Sequence, residues 1–166
     1  MYSLTYQRAK SLADAAEKLS SAEDVKLLAG GMTLIPTLKQ RLAAPSLLVD
    51  IARLDELRVL EMRGERLYGG AAMRHHEVAN SALVRERIPA LADLASHIGD
   101  PQVRNRGTLG GSVANNDPAA DYPSAVLGLG ATVVTNRREI AADDFFKGVF
   151  ETILEPGEII RGFLYP

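Results

Sequence analysis

The sequence contains no cysteine and no tryptophan. The first absence excludes disulfides and any thiolate-held iron–sulfur cluster within the chain. No apolar run approaches the roughly 20 residues that a membrane-spanning helix needs, and Met1-Tyr2-Ser3-Leu4-Thr5-Tyr6 lacks the basic and apolar regions of a secretory signal. A soluble, cytoplasmic protein with no membrane span is the expectation. Charge of one sign is also missing: the net charge is -2 over 166 residues, and no basic run is longer than Arg137-Arg138. That leaves no electrostatic footprint for nucleic acid. Of the three histidines, His75 and His76 are adjacent and diverge on a helix, and no Asp/Glu spacing completes a metal-ligand set with them or with His97. The Gly-Lys-Ser/Thr of a P-loop, the three-glycine dinucleotide fingerprint and the nucleophile elbow are all absent. If the chain serves an enzyme, its chemistry belongs to a cofactor.

What is present is an ordinary globular composition, 46% hydrophobic and 24% charged, enough for one core or two small lobes sharing an interface. Tyr2–Tyr6 alternates as a strand. Ser11 caps a helix carrying Leu12, Ala15, Ala16 and Leu19 on one face. Val25–Ala29 is a short apolar strand stopped by Gly30-Gly31. Leu34, Ile35, Leu38 and Leu42 mark a second helix with Pro36 in its first turn, and Leu47–Ile51 a third strand. This β-α-β-α-β succession predicts a small parallel sheet, with a lobe boundary near Leu54 separating lobes 1–54 and 55–166. Beyond it, Leu57–Gly70 reads as an antiparallel hairpin turning at Arg63-Gly64. His75–Asn80 and Pro89–Ile98 read as helices. Asp117-Pro118 is read as the cap and first residue of a helix to about Leu129, and Ala131–Val134, Arg138–Ile140 and Ile159–Leu164 as strands.

Two glycine-rich stretches stand out. Leu27-Leu28-Ala29-Gly30-Gly31-Met32-Thr33-Leu34 runs from strand to helix. Such a turn offers an oxyanion consecutive N–H groups and the positive end of a helix dipole, although a plain tight turn has the same composition. Arg104-Asn105-Arg106-Gly107-Thr108-Leu109-Gly110-Gly111-Ser112 is a second glycine turn. It has hydroxyls at Thr108 and Ser112 and positive charge at Arg104 and Arg106. Two such turns, one from each lobe, suit the two phosphoryl groups of a pyrophosphate. Asp117 reads as a helix cap. Asp121 reads either as a favourable charge in the same first turn or as an acceptor for sugar or ribityl hydroxyls.

Together these motifs resemble the FAD-binding medium subunit of molybdenum hydroxylases, the xanthine dehydrogenase and carbon monoxide dehydrogenase family. Ala29–Thr33 matches its Ala-Gly-Gly-polar-Ser/Thr segment, Arg104–Ser112 its Arg-Asn-x-Gly-Thr-Ile-Gly-Gly-Asn segment, and Asp117–Asp121 its Asp-Pro-Ala-Ser/Ala-Asp segment. Leu154–Ile160 also has the family's look. Met32 and Ser112 depart from it, replacing a polar residue and an asparagine. The resemblance implies an α+β, PCMH-type (vanillyl-alcohol-oxidase-like) FAD-binding fold, with a small βαβαβ lobe and a larger lobe of antiparallel sheet and helices. It implies FAD held by Leu27, Leu28, Ala29, Gly30, Gly31, Met32, Thr33 and Leu34, by Thr108, Leu109, Gly110, Gly111 and Ser112, and by Asp121, with Ile98 and Ile160 also at the cofactor. Electrons would pass from an iron–sulfur small subunit, fed by a molybdopterin large subunit, through FAD to an acceptor. The alternative is a scaffold module of such a complex that binds FAD weakly or not at all. The family's subunits continue into a C-terminal domain. This chain stops at Tyr165-Pro166, where that domain is expected to begin, and reads as a shortened chain or a split or decayed gene product.

Overall fold

The fold is built on two main sheets and a two-stranded hairpin, described here over residues 1–166 from a computed structural model. The first comprises β1 (Thr5–Arg8), β2 (Val25–Leu28) and β3 (Leu47–Asp50), in the order β1-β3-β2 and all parallel. The crossovers are α1 (Leu12–Leu19) and α2 (Leu34–Lys39). Ser11 caps α1 as its sequence predicts, its hydroxyl accepting from the Asp14 N–H. Pro36 sits in the first turn of α2, where the missing N–H costs nothing. The first strand begins later than the alternation of Tyr2–Tyr6 suggests. Just before β3, Ser46 takes the Thr5 N–H on its carbonyl but sends its own N–H the other way, to the Asp24 carbonyl, so no donor is left there for residues before Thr5.

The chain then makes a single 3-10 turn at Asp55–Leu57, which takes up the first residue of the expected hairpin, and enters the hairpin of β4 (Leu60–Arg63) and β5 (Arg66–Gly70). Its turn residues are Gly64 and Glu65, one position beyond the expected pair, because Arg63 and Arg66 face each other and Gly64 supplies the positive φ of 63°. A run of short helices follows: α3 (His75–Asn80), α4 (Ala82–Arg87), α5 (Pro89–His97), α6 (Pro101–Arg104), α7 (Leu109–Asn115) and α8 (Asp121–Gly128). Next come β6 (Thr132–Thr135), β7 (Glu139–Ala141), α9 (Ala142–Phe145), the small hairpin β8 (Phe146–Gly148) and β9 (Glu151–Thr152), and β10 (Ile160–Tyr165). The last strand inserts between β5 and β6 to complete the antiparallel order β4-β5-β10-β6-β7.

Two expectations are corrected here. The second glycine stretch is not a turn but the start of α7, capped by Thr108 through Gly111 N–H, with Gly110 and Gly111 inside its first turn. Tertiary contact, not a turn, is what requires glycine at 110: its N–H donates to Ala71 O, and a Cβ on it would sit 2.5 Å from that of Ala71. Asp117-Pro118 does not open a helix either. α8 begins at Asp121 with Ala120 as its cap, and Asp117 closes a preceding turn by accepting the N–H groups of Ala119 and Ala120. Pro123 explains the shift. It lies in the first turn of a helix that begins at Asp121, but would interrupt the interior of one that began at Pro118.

Two cores result. Leu91, Leu109, Val113, Tyr122, Val126, Phe145 and Phe163 lie in the larger one, between the antiparallel sheet and its helices. The smaller gathers Leu12, Val25, Val49 and Leu57 with Ala72 and Ile159, so residues beyond Leu54 complete it. Adjacent side chains divide between the two: Ala71 and Ile160 belong to the larger, Ala72 and Ile159 to the smaller. These two dipeptides form the seam.

The seam is held at one end by a polar clasp. The Glu158 carboxylate, with no exposed surface, accepts from Arg138 Nε and Nη2 (both 2.9 Å), the Thr135 hydroxyl (2.8 Å) and the Glu155 N–H (3.0 Å). Chiefly through the Arg138 hydrogen bonds, its pKa is held down to about 2. A depressed carboxylate pKa stabilises the fold above the unfolded value and loses that contribution as pH falls towards the folded one. Acid titration followed by circular dichroism should therefore show stability draining between about pH 4.5 and about 2. Glu158→Gln should cost about 2 kcal/mol at pH 7, a fall in Tm of about 4–8 °C, and remove that part of the acid dependence. An unchanged Tm would show the clasp to be dispensable.

Candidate functional site

Where the seam opens to solvent, the carboxyl ends of β2 and β3 face α7 across a groove of about 670 Å³. The loop leaving β2 forms one wall. Gly31 takes φ +73°, and a Cβ on it would press on Ile35 and Leu28 at about 3 Å, so this turn requires glycine. The backbone N–H groups of Ala29, Gly30, Gly31, Met32 and Thr33 find no acceptor within the protein. Thr33, at the start of α2, makes no capping bond with its side chain. The result is a run of five uncommitted donors around a concave, half-buried backbone.

The opposite wall is made differently. The N–H groups of Leu109, Gly110 and Ser112 are spent on Met73 O (2.9 Å), Ala71 O (2.8 Å) and Thr108 O (3.0 Å), and that of Gly111 on the Thr108 hydroxyl oxygen (3.2 Å). What this wall offers is the hydroxyl hydrogens of Thr108 and Ser112 and a close approach over Gly111, where an added Cβ would meet nothing but Thr108 Oγ1. The two walls touch. A Cβ on Gly30 would lie 2.2 Å from Arg106 O and 2.8 Å from Gly107 Cα.

The structure brings most of the sequence-proposed residues together. Leu27, Ala29, Gly30, Gly31, Met32, Thr33 and Leu34 line the groove with Ile98, Thr108, Gly110, Gly111, Ser112 and Ile160. Leu28, Leu109 and Asp121 do not. Leu28 packs back towards the turn at Gly31, Leu109 lies in the larger core, and Asp121 is exposed on α8. Arg104 is occupied with Ile98 O and Gly99 O, and Arg106 is exposed outside the lining. Charge within the groove comes instead from Lys26 and Asp117, Glu158 being paired with Arg138. The sequence reading missed Lys26, Ala71, Ala72, His75, Val103, Gly107, Asp117 and Ile159 as lining residues. Lys26 directly precedes the first motif and Gly107 lies within the second. Asp117 opens the Asp117–Asp121 segment and Ile159 lies in Leu154–Ile160, whereas Ala71, Ala72, His75 and Val103 belong to no motif and are gathered by the seam alone. No cluster of His, Cys, Asp or Glu capable of holding a metal ion is present, and no helix is long and apolar enough to cross a membrane.

Chemically, the groove lining combines uncharged donors and two hydroxyls with the apolar side chains of Ala71, Ala72, Ile98, Leu154 and Ile160. That donor set suits a phosphate-bearing ligand with a flat, largely uncharged ring system.

Comparison with known proteins agrees. Residues 2–166 match the model of a family described as the FAD binding domain in molybdopterin dehydrogenase. The chain is 40% identical over 167 residues to the nicotine 6-hydroxylase medium subunit of Paenarthrobacter nicotinovorans, covering 98% of this chain and 59% of the relative. It is also 40% identical over 160 residues to the carbon monoxide dehydrogenase medium chain of Hydrogenophaga pseudoflava, covering 93% and 56%. A solved structure of carbon monoxide dehydrogenase from that organism superimposes with a TM-score of 0.97 at 39% identity, over 99% of this chain and 59% of the other. The chain thus spans under two thirds of the length of these relatives. By sequence motif, matched length and three-dimensional shape, it belongs to the family of FAD-binding domains of molybdopterin dehydrogenases.

Proposed function

We propose that this chain is the FAD-binding part of an electron-transfer subunit in a molybdenum-containing hydroxylase or dehydrogenase. In this reading it works in the cytoplasm beside an iron–sulfur small subunit and a molybdopterin large subunit, and is not active alone. Lobes 1–54 and 55–166 contribute one wall each. The observation that carries the proposal is the contact of Gly30 with Arg106 and Gly107, which places five uncommitted N–H groups opposite two hydroxyls in one groove.

FAD held here would supply the redox chemistry of electron transfer between iron–sulfur centres and an acceptor. The chain's own residues bind and orient it. The N–H groups of Ala29 to Thr33 take the pyrophosphate, and Lys26 balances part of its charge. Thr108 and Ser112 add hydroxyl donors. Ile98, Leu154 and Ile160, with Ala71 and Ala72, exclude water from the ring. The assignment of Asp121 to ligand hydroxyls rests on its motif alone.

Purified chain mixed with excess FAD should hold a yellow chromophore through gel filtration. At a hundred times Kd its Tm should rise by about 5–10 °C. The absence of both chromophore and shift would sink the reading. Gly111→Val should lower Tm by only about 2–4 °C, because the Cβ carrying the added methyls would sit 2.8 Å from the Thr108 hydroxyl oxygen and displace that cap, with no other atom within 4 Å. It should weaken FAD binding about a hundredfold or more, since those methyls occupy the cradle. Unchanged affinity would remove this wall from the site.

A further inference from the structure

His75 is the one buried ionisable side chain of the groove whose polar atoms have no work inside the protein. It opens α3 and is 4% exposed. Its backbone is tied to the second wall: the His75 N–H donates to Gly107 O (3.1 Å), and Arg74 and Thr108 form an isolated antiparallel bridge. The ring packs on Tyr122, with centroids 5.1 Å apart. Nδ1 is sealed in with no hydrogen-bond partner. Nε2 lies over Gly107, where an added Cβ would stand 2.4 Å away, so glycine at 107 is what makes room for the ring.

We infer that His75 is a ligand-binding residue of the groove, presenting Nε2–H as an uncharged donor to an acceptor atom of the bound flavin nucleotide. The inference rests on the FAD reading above. The tautomer follows from burial. A neutral imidazole carries one N–H, and a proton on Nδ1 would be a buried donor with no acceptor, whereas on Nε2 it faces the Gly107 side, which lines the groove. Burial also holds the ring neutral at pH 7, its pKa lowered to about 4. A donor without charge, in a groove lined also by Ala71, Ala72, Ile98 and Val103, orients an oxygen or nitrogen acceptor without demanding a formal negative charge. His76 and His97 do nothing comparable, being exposed and engaged with Asn80 and Asp93 of their own helices.

The test is nitrogen-15 NMR of the imidazoles at pH 7, together with FAD titrations monitored by flavin fluorescence. The His75 signal, assigned by its loss in His75→Gln, should report the Nε2–H tautomer. Its Nε2 resonance should move on FAD addition while those of His76 and His97 stay. His75→Phe should raise Kd about tenfold, and His75→Gln, whose amide nitrogen takes the place of Nε2, should stay within about threefold of wild type. An Nδ1–H tautomer overturns the inference, as does a folded His75→Phe chain that binds FAD as wild type does. If His75→Phe does not fold, an Nε2 resonance that fails to respond to FAD overturns it equally. If the wild-type chain binds no FAD at all, the reading of the previous subsection fails and takes this one with it. Wild-type binding with no response at His75 removes only this one.

Discussion

The structure depends on one close approach, the backbone of Gly30 against Arg106 O and Gly107 Cα, at a distance that leaves no space for a side chain. Protein interiors are close-packed, so a contact that excludes even a Cβ defines the relative position of the segments that make it. The loop leaving β2 is thereby set against the segment that opens α7. The groove between them is a consequence of that contact. Ala71-Ala72 and Ile159-Ile160 continue the same seam inward, each dividing neighbouring side chains between the two cores.

The two walls solve the problem of backbone polarity in opposite ways. At α7 nearly every N–H near the helix start is consumed by Met73, Ala71 or Thr108, which fastens the helix to the residues after β5. In the loop after β2 five successive N–H groups are left to solvent or ligand. Uncommitted donors contribute nothing to folding but present a ligand with groups already in place, which lowers the ordering cost of binding. One wall is rigid and hydroxyl-bearing; the other is donor-rich. A ligand with a phosphate end and a ring end uses both.

Much of the first lobe was legible because its signals are local. Ser11 caps α1 by bonding three residues ahead, Pro36 sits where a helix tolerates it, and Gly31 needs positive φ within its own turn. Where reading the sequence went astray, the deciding partner lay elsewhere in the chain. The late start of β1 depends on Ser46 and Asp24, and the need for glycine at 110 depends on Ala71. The displaced start of α8 is an instructive exception: Pro123 was in plain view, but Asp117-Pro118 is the stronger local start signal.

By itself, the sequence determined the α+β composition, the parallel crossover unit, the two glycine motifs and, through them, the family. Those properties reside in hydrophobic period, capping chemistry and residues that tolerate unusual backbone. Only the tertiary structure decided that the motifs meet, which of their N–H groups remain free, and that Lys26, His75, Asp117 and the Ala71-Ala72 and Ile159-Ile160 pairs line the groove with them. The physical reason is that a donor's availability and a side chain's burial are set by what packs against them, and here those partners lie tens of residues away along the chain.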